Sequence, residues 1–279
     1  MKTAIVTDST SYLSAEHRKE KNIQMIPLQV TFGGHQSFKE EMELTMDEFY
    51  KKAKTELPKT SQPSLGEFKE LYSQLAEEVD DIISIHLSSG ISGTYAGAIQ
   101  AGEMIENANV HVFDTEVSCA IQGFFVTKAA DMANAGESAA VILEELERMK
   151  KTMRAYFMVE DLKHLQRGGR LSGAQALVGG LLQIKPILHF EEKVIVPFEK
   201  IRTRKKAMAR ISGLLKEDAD KGLPLRATII HANQREEAEA WLAELEQSCP
   251  NVEFDISYFG PVIGTHLGEG SMGLGWVVK

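Results

Sequence analysis

The stretch Ile82-Ile-Ser-Ile-His-Leu-Ser-Ser-Gly-Ile-Ser-Gly-Thr94 sets the reading of the whole chain. Its first six residues, Ile82–Leu87, are mostly β-branched or apolar and too few for a helix, so they read as a buried strand. Ser88 to Thr94 then bring hydroxyls and two glycines, and a helix through about Asn107 follows. A strand that passes through a Gly- and Ser-rich turn into a helix is half of a βαβ unit.

The alternation continues in both directions. Upstream, Thr3–Asp8 is a compact β-rich run ending in Thr7-Asp-Ser-Thr-Ser11, and Ile23–Phe32 reads as a second strand turned by Gly33-Gly34. Thr45-Met-Asp-Glu48 and Ser64-Leu-Gly-Glu67 are capping boxes, opening helices that end before Pro58 and near Val79. Downstream, Val110–Asp114 is a strand, Ser118–Ala133 a largely apolar helix and Glu137–Lys151 a charged one. This order predicts an α/β fold whose first sheet is parallel and covered on both faces.

Beyond Lys150–Arg154 the pattern changes. Arg154–Val159 reads as a strand and Leu162–Ser172 as a basic, Gly-containing turn, while Ile187–Phe190 and Val194–Phe198 form a hairpin. Ala207–Leu215 and Glu236–Gln247 read as helices, Ala227–His231 and Phe254–Tyr258 as strands, and Gly270–Val278 ends in another strand. The expected division is an N-terminal α/β domain, 1–152, and a mixed α/β C-terminal domain, 153–279, in line with a length of 279 residues.

Composition narrows the function. A formal net charge of -9 argues against nucleic acid or an anionic membrane as a general partner. Cys119 and Cys249 are too few and too far apart for a disulfide framework or a CxxC zinc site, so no metal is expected. No apolar stretch reaches the ~18 residues that span a bilayer, and Met1-Lys2 runs into Thr3-Ala-Ile-Val6 without the apolar region of a signal peptide. The expectation is a soluble cytoplasmic protein with no stable membrane insertion.

In open α/β sheets ligands bind where loops leave the carboxyl ends of strands. There the sequence places Thr7 to Ser11 and Ser88, Ser89, Ser92 and Thr94, with Lys59-Thr-Ser-Gln-Pro-Ser64 preceding a capped helix. Hydroxyls and Gly-exposed N–H groups at helix starts suit a carboxylate or phosphate; the plainer reading is caps and turns. Gly90-Ile-Ser92-Gly93 falls short of the G-x-S-x-G nucleophile elbow, so Ser92 is a better hydrogen-bond donor than nucleophile. Gly268-Glu-Gly-Ser-Met-Gly273 matches G-x-G-x-x-G but opens no helix, so the dinucleotide reading fails. In Gly264-Thr-His-Leu-Gly268, flanking glycines could bring His266 close to a ligand, although a lone histidine is more often structural. Lys200, Arg202, Arg204, Lys205, Lys206 and Arg210 form a basic cluster, either a solvated face or a phosphate dock, and Arg167 and Arg170 flank Gly168-Gly169. Ile121–Val126 and Ala176–Leu182 read as core, or as walls of a dry slot if two domains face each other.

Thr7-Asp-Ser-Thr-Ser11, Thr60-Ser-Gln-Pro-Ser64, Ser88–Thr94, Leu165-Gln-Arg-Gly-Gly-Arg-Leu-Ser172 and Lys185-Pro-Ile-Leu188, in that order and with the closing Gly264-Thr-His266, resemble the DegV family across the whole chain. The resemblance implies a two-domain α/β protein with a long-chain fatty acid in a hydrophobic slot between the domains. It also implies that the chain is a lipid-binding accessory subunit without catalytic residues or a cofactor. Its expected partner is a separate ATP-dependent fatty acid kinase subunit, which converts the bound carboxyl group to an acyl phosphate. Carried over by position, Thr60, Ser61, Ser92 and His266 would hold the carboxylate, and Arg170 and Arg202 would serve phosphoryl transfer or partner docking. The competing reading is a serine hydrolase or small-molecule phosphotransferase acting through Ser92 and His266.

Overall fold

The computed structural model describes residues 2–172 and 185–279. The apolar segment Ala176–Leu182 lies outside the described residues. In chain order the first half contains β1 (Thr3–Asp8), α1 (Ala15–Lys21), β2 (Ile23–Ile26), β3 (Gln29–Phe32), β4 (Gln36–Lys39), α2 (Met46–Ala53), β5 (Lys59–Ser61) and α3 (Leu65–Leu75). It continues with β6 (Asp81–His86), α4 (Thr94–Gly102), β7 (Asn109–Asp114), α5 (Cys119–Asn134) and α6 (Ala139–Thr152). The second half contains β8 (Arg154–Met158), α7 (Lys163–Gly168), β9 (Lys185–Glu191), β10 (Val194–Ile201), α8 (Arg204–Ala219), β11 (Leu225–His231), α9 (Arg235–Ser248), β12 (Val252–Tyr258), α10 (Pro261–Leu267) and β13 (Met272–Val278).

The parallel sheet is present, in the order β2-β1-β6-β7. Every residue of β6 is buried, Asp81, Ser84 and His86 along with the three isoleucines, as in a strand covered on both faces. Both capping boxes form, Thr45 with Glu48 and Ser64 with Glu67.

The second strand differs from the expectation for Ile23–Phe32. Pro27 and Leu28 divide the run into β2, which joins the parallel sheet, and β3, which pairs antiparallel with β4 and β5. Pro27 has no N–H for a continuous ladder, and the chain changes sheets there. The hydroxyl-rich segment Lys59–Ser61 is itself a strand, β5, with Thr60 opposite Val30.

The second half forms a six-stranded mixed sheet, β10-β9-β8-β13-β11-β12, in which β11 and β12 are parallel and the other neighbours antiparallel. β10 lies at its edge, where the register shifts between Pro197 and Glu199, a position open to proline because no further strand among the described residues needs its N–H. β13 lies in the middle, with six of its seven residues buried. On one face Met158, Ile187, Ile229, Leu274 and Trp276 form a core with α8 and α9. On the other, Ala155, Phe157, Leu188 and Ile230 join the core of the first half.

The helix between the two sheets is α5, which touches β1 and β6 on one side and β11 and β13 on the other. A helix enclosed on both sides must be apolar nearly all round, which accounts for Ile121, Phe124, Phe125 and Val126 in adjacent positions. The fold is thus a two-domain α/β arrangement with an apolar layer between a parallel and a mixed sheet.

Two local expectations change. Leu162–Ser172 is more than a turn: Lys163–Gly168 is a short helix, ended by Gly169 in the left-handed region (φ 69°). Gly264–Gly268 lies largely within the helix α10, which has Pro261 in its first turn, where the missing N–H costs nothing.

Candidate ligand-binding site

A cavity of about 290 Å³ lies in the layer between the two halves. Its walls are apolar: Leu28, Ile91 and Ile121 from the first half, and Phe157, Ile195, Ile230, Phe259 and Ile263 from the second. Its polar groups include Thr60, Ser61, Gln62, Ser92, Arg170 and His266. Arg170 is the only ordinarily charged side chain among its described lining residues, and none is acidic.

Each polar group is placed by its element. β5 carries Thr60 to α10, where Thr60 Oγ1 and His266 Nε2 are 2.8 Å apart. Ser92 sits at the N-terminal turn of α4, its Oγ accepting from Thr94 N–H at 3.3 Å and lying 2.9 Å from Thr94 Oγ1. Arg170 follows the left-handed Gly169; its Nε donates to Ile91 O at 3.0 Å and its Nη1 to Gly168 O at 2.5 Å, bridging the two halves. Burial, with Arg170 and His164 nearby, pushes the His266 imidazole down to about 4, so the ring is neutral at pH 7.

Of the residues singled out in the sequence, Thr60, Ser61, Ser92, His266 and Arg170 come together on this cavity. Arg202 does not: it is exposed on the segment before α8 and lines none of the described cavities. In the adjacent basic cluster, Arg204 is paired with Glu237 and Glu160, and Arg210 with Glu199. Sequence reading missed Gln62, Cys119 and Phe157 as lining residues. The consecutive apolar residues Ala155-Tyr-Phe-Met158 mark a strand but not what either of its faces meets.

A Ser–His–Asp arrangement does occur, though not at Ser92. Ser84 Oγ lies 2.7 Å from His86 Nε2, and His86 Nδ1 lies 2.9 Å from Asp8 Oδ2. All three residues are fully buried, Tyr72 O–H donates to Ser84 Oγ at 2.7 Å, and none of them lines a described cavity. A nucleophile without access to substrate does no chemistry, so this network is structural. Asp8 also accepts from Leu87 N–H and Gln122 Nε2, fixing the strand end from which the Ser88–Thr94 loop departs. Burial alone would raise the Asp8 carboxyl, but its bonds to His86, Thr10 and Leu87 hold it below the ordinary carboxylate range.

A mostly apolar slot that also presents hydroxyls, a neutral imidazole and one guanidinium has the chemistry to hold an amphiphile with an anionic head and a long apolar tail. Comparison with known proteins agrees in extent. The profile described as "Uncharacterised protein, DegV family" matches residues 2–279. The chain belongs to the DegV family. It is 57% identical to Protein DegV of Bacillus subtilis (strain 168) over 282 residues, covering 100% of both chains. It is 53% identical to a DegV domain-containing protein of Listeria monocytogenes, covering 100% of this chain and 99% of the relative. The crystal structure of the Bacillus subtilis protein, described as a fatty acid binding protein, superposes with a TM-score of 0.95 over 100% of both chains. A DegV family protein from Thermus thermophilus, described in terms of its fatty acid binding, superposes with a TM-score of 0.93 at 32% identity, again over 100% of both chains. Among the described residues no group of His, Cys, Asp and Glu is arranged to hold a metal ion, and no helix is long and apolar enough to cross a membrane.

Proposed function

We propose that the protein holds a long-chain fatty acid in the slot between its two halves and presents the carboxyl group to a separate ATP-dependent kinase subunit, which forms the acyl phosphate. Thr60, Ser61, Ser92 and His266 hold the carboxylate, and the chain runs along the apolar walls. Arg170 and Arg202 serve phosphoryl transfer or partner docking. The chain is an accessory subunit of the cytoplasm with no resident cofactor, divided at residue 152 into two units that enclose the ligand.

The observation that carries this reading is the slot: its walls are mostly apolar, Thr60, Ser61, Ser92 and His266 add hydroxyls and an imidazole, and Arg170 is its only charged described lining residue. Burying a sixteen-carbon chain contributes at most about 0.8 kcal/mol per methylene, on the order of 12 kcal/mol before ordering costs. Each head-group hydrogen bond adds about 1–3 kcal/mol at best. The tail therefore dominates affinity while the head fixes orientation, and several donors must converge on the carboxylate because stripping its water is costly. The whole-length similarity to fatty acid binding relatives supports the same ligand class. Hydrolysis through Ser92 and His266 finds less support, since Ser92 Oγ is engaged by Thr94 and His266 Nε2 by Thr60.

Mass spectrometry of freshly purified, denatured protein tests the proposal. The expected result is one free fatty acid per chain, of intact mass, with Ser92 unmodified. A lipid-free protein, or an acyl adduct on Ser92, would overturn it. With the kinase subunit and ATP added, Arg202→Ala is expected to keep its lipid yet form acyl phosphate at least tenfold more slowly.

A further inference from the structure

We propose that Glu40 is a positioning residue for the bound lipid: its buried carboxyl group clasps one wall of the slot to another, and loss of its proton opens the clasp; this rests on the fatty-acid reading above. Glu40 lines none of the described cavities and lies one layer behind the slot. It follows β4 directly and is fully buried. Its backbone N–H donates to Leu28 O at 2.9 Å, and Leu28 is a wall residue of the first half.

The carboxyl group reaches walls from both halves. Oε2 lies 2.6 Å from Ser9 Oγ, which in turn accepts from Leu28 N–H at 3.1 Å. Oε1 accepts from Val262 N–H at 2.6 Å and from Tyr12 O–H at 3.1 Å, and Tyr12 Oη accepts from Ile263 N–H at 3.4 Å. Leu28, Val262 and Ile263 all line the slot, and the helix that Val262 and Ile263 open carries His266 and Leu267 to it as well. The N–H groups of a first helical turn have no partner within the helix, so α10 depends on this network for its start. One side chain therefore fixes the spacing between the Leu28 wall and α10.

The clasp suits a neutral acid. The ionisable groups around it are Tyr12 from the turn after β1, Glu41 beside it, Tyr50 from α2, Cys119 from α5 and Tyr258 from β12. Among the described residues no Lys, Arg or His is paired with it. Burial, aided by repulsion from Glu41, raises the carboxyl to about 8 against the pull of Ser9, Val262 and Tyr12. When the two walls part, water reaches the group, its ordinary value of 4.5 returns and the proton leaves to solvent. Opening is thus coupled to release of one proton. The closed form is favoured at low pH, and between 4.5 and 8 each unit rise favours the open form by up to about tenfold. His266 has the opposite sign, because burial holds its closed form low, so it does not supply this dependence.

The test follows transfer of a sixteen-carbon fatty acid from the loaded protein to excess delipidated albumin between about pH 6 and pH 8. Release from the parent is expected to accelerate at least tenfold over that range. Glu40→Gln keeps a neutral group that can accept from Val262 N–H and donate to Ser9 Oγ, so its release should stay slow and change less than twofold. Glu40→Ala loses both partners and should release lipid at least tenfold faster than the parent at the lower pH. A Glu40→Gln protein with the parent's pH dependence would overturn the assignment, as would a Glu40→Ala protein with the parent's rate. Should Glu40→Ala fail to fold, the comparison of the parent with Glu40→Gln decides alone. A parent that holds its lipid equally well across the range would overturn the clasp while leaving fatty-acid binding intact. A parent that binds no fatty acid would overturn the proposed function along with it.

Discussion

Glu40 carries more than its place beside the slot suggests. It is fully buried, and its carboxylate meets Ser9 Oγ at 2.6 Å, Tyr12 O–H at 3.1 Å and Val262 N–H at 2.6 Å, tying the first half to the start of α10. Burial outweighs these donors and pushes the carboxyl up to about 8 from an ordinary 4.5. Between those values the folded protein keeps a proton that the unfolded chain has released, so this group's stabilising contribution is lost as pH rises from about 4.5 to 8. Glu40→Gln should flatten the stability–pH curve over that window, by a few kcal/mol between its ends, as read by denaturant unfolding of both proteins. A variant with the parent's slope would show that Glu40 is ionised when folded. His266 works in the opposite sense. Held near 4, it is neutral when folded, and its contribution is lost as pH falls from 6.5 towards 4. A carboxylate placed beside it favours imidazolium, so fatty acid binding near pH 6 should take up part of a proton. Calorimetry in buffers of different ionisation heat reads this uptake directly, and it should vanish in His266→Gln; binding heats independent of the buffer would refute it.

At the scale of elements, the β9–β10 hairpin sets the near side of the slot. Its two turn residues, Glu192 (φ 46°) and Lys193 (φ 73°), are both left-handed, the geometry a two-residue hairpin needs but side chains resist. Contacts across the slot hold the tip: Ser88 Oγ donates to Lys193 O at 2.6 Å, and Lys193 Nζ meets Asp114 at 3.1 Å. Gly90 makes this approach possible, for a Cβ there would stand 2.3 Å from the Lys193 carbonyl oxygen. Gly90→Ala should cost about 1–3 kcal/mol and release bound lipid faster. Gly213, inside α8 with nothing within 4 Å of an added Cβ, should do the reverse: Gly213→Ala should gain about 0.5–1 kcal/mol. Thermal unfolding measures both, and a shift of the same sign in the two variants would contradict the packing argument. The hairpin was legible in the sequence because two apolar runs flank a charged pair, and both capping boxes because their spacing is local. The break at Pro27 and the helix α10 were not: each is decided by the sheet or half it packs against, which periodicity over a few residues does not contain.

For the whole molecule, the two halves are joined on both flanks of the slot. On one side Tyr50 O–H donates to Phe259 O at 2.8 Å and Glu40 accepts from Val262; on the other, Arg170 and Lys193 reach Ile91 and Asp114. Thr60 and His266, 206 residues apart, meet at 2.8 Å. The sequence could nominate both by residue type and by resemblance, but no local pattern encodes the closure of so long a loop; Arg202, nominated by charge and by resemblance, lines none of the described cavities. The position of β13 bears on what unites the second sheet. It separates β8 from β11 and follows every other described strand in the chain. Without residues 272–278 the second sheet would therefore fall into two unjoined parts, β10-β9-β8 and β11-β12, each with a raw edge and an apolar face, and the slot would lose the wall that Gly273 and Leu274 supply.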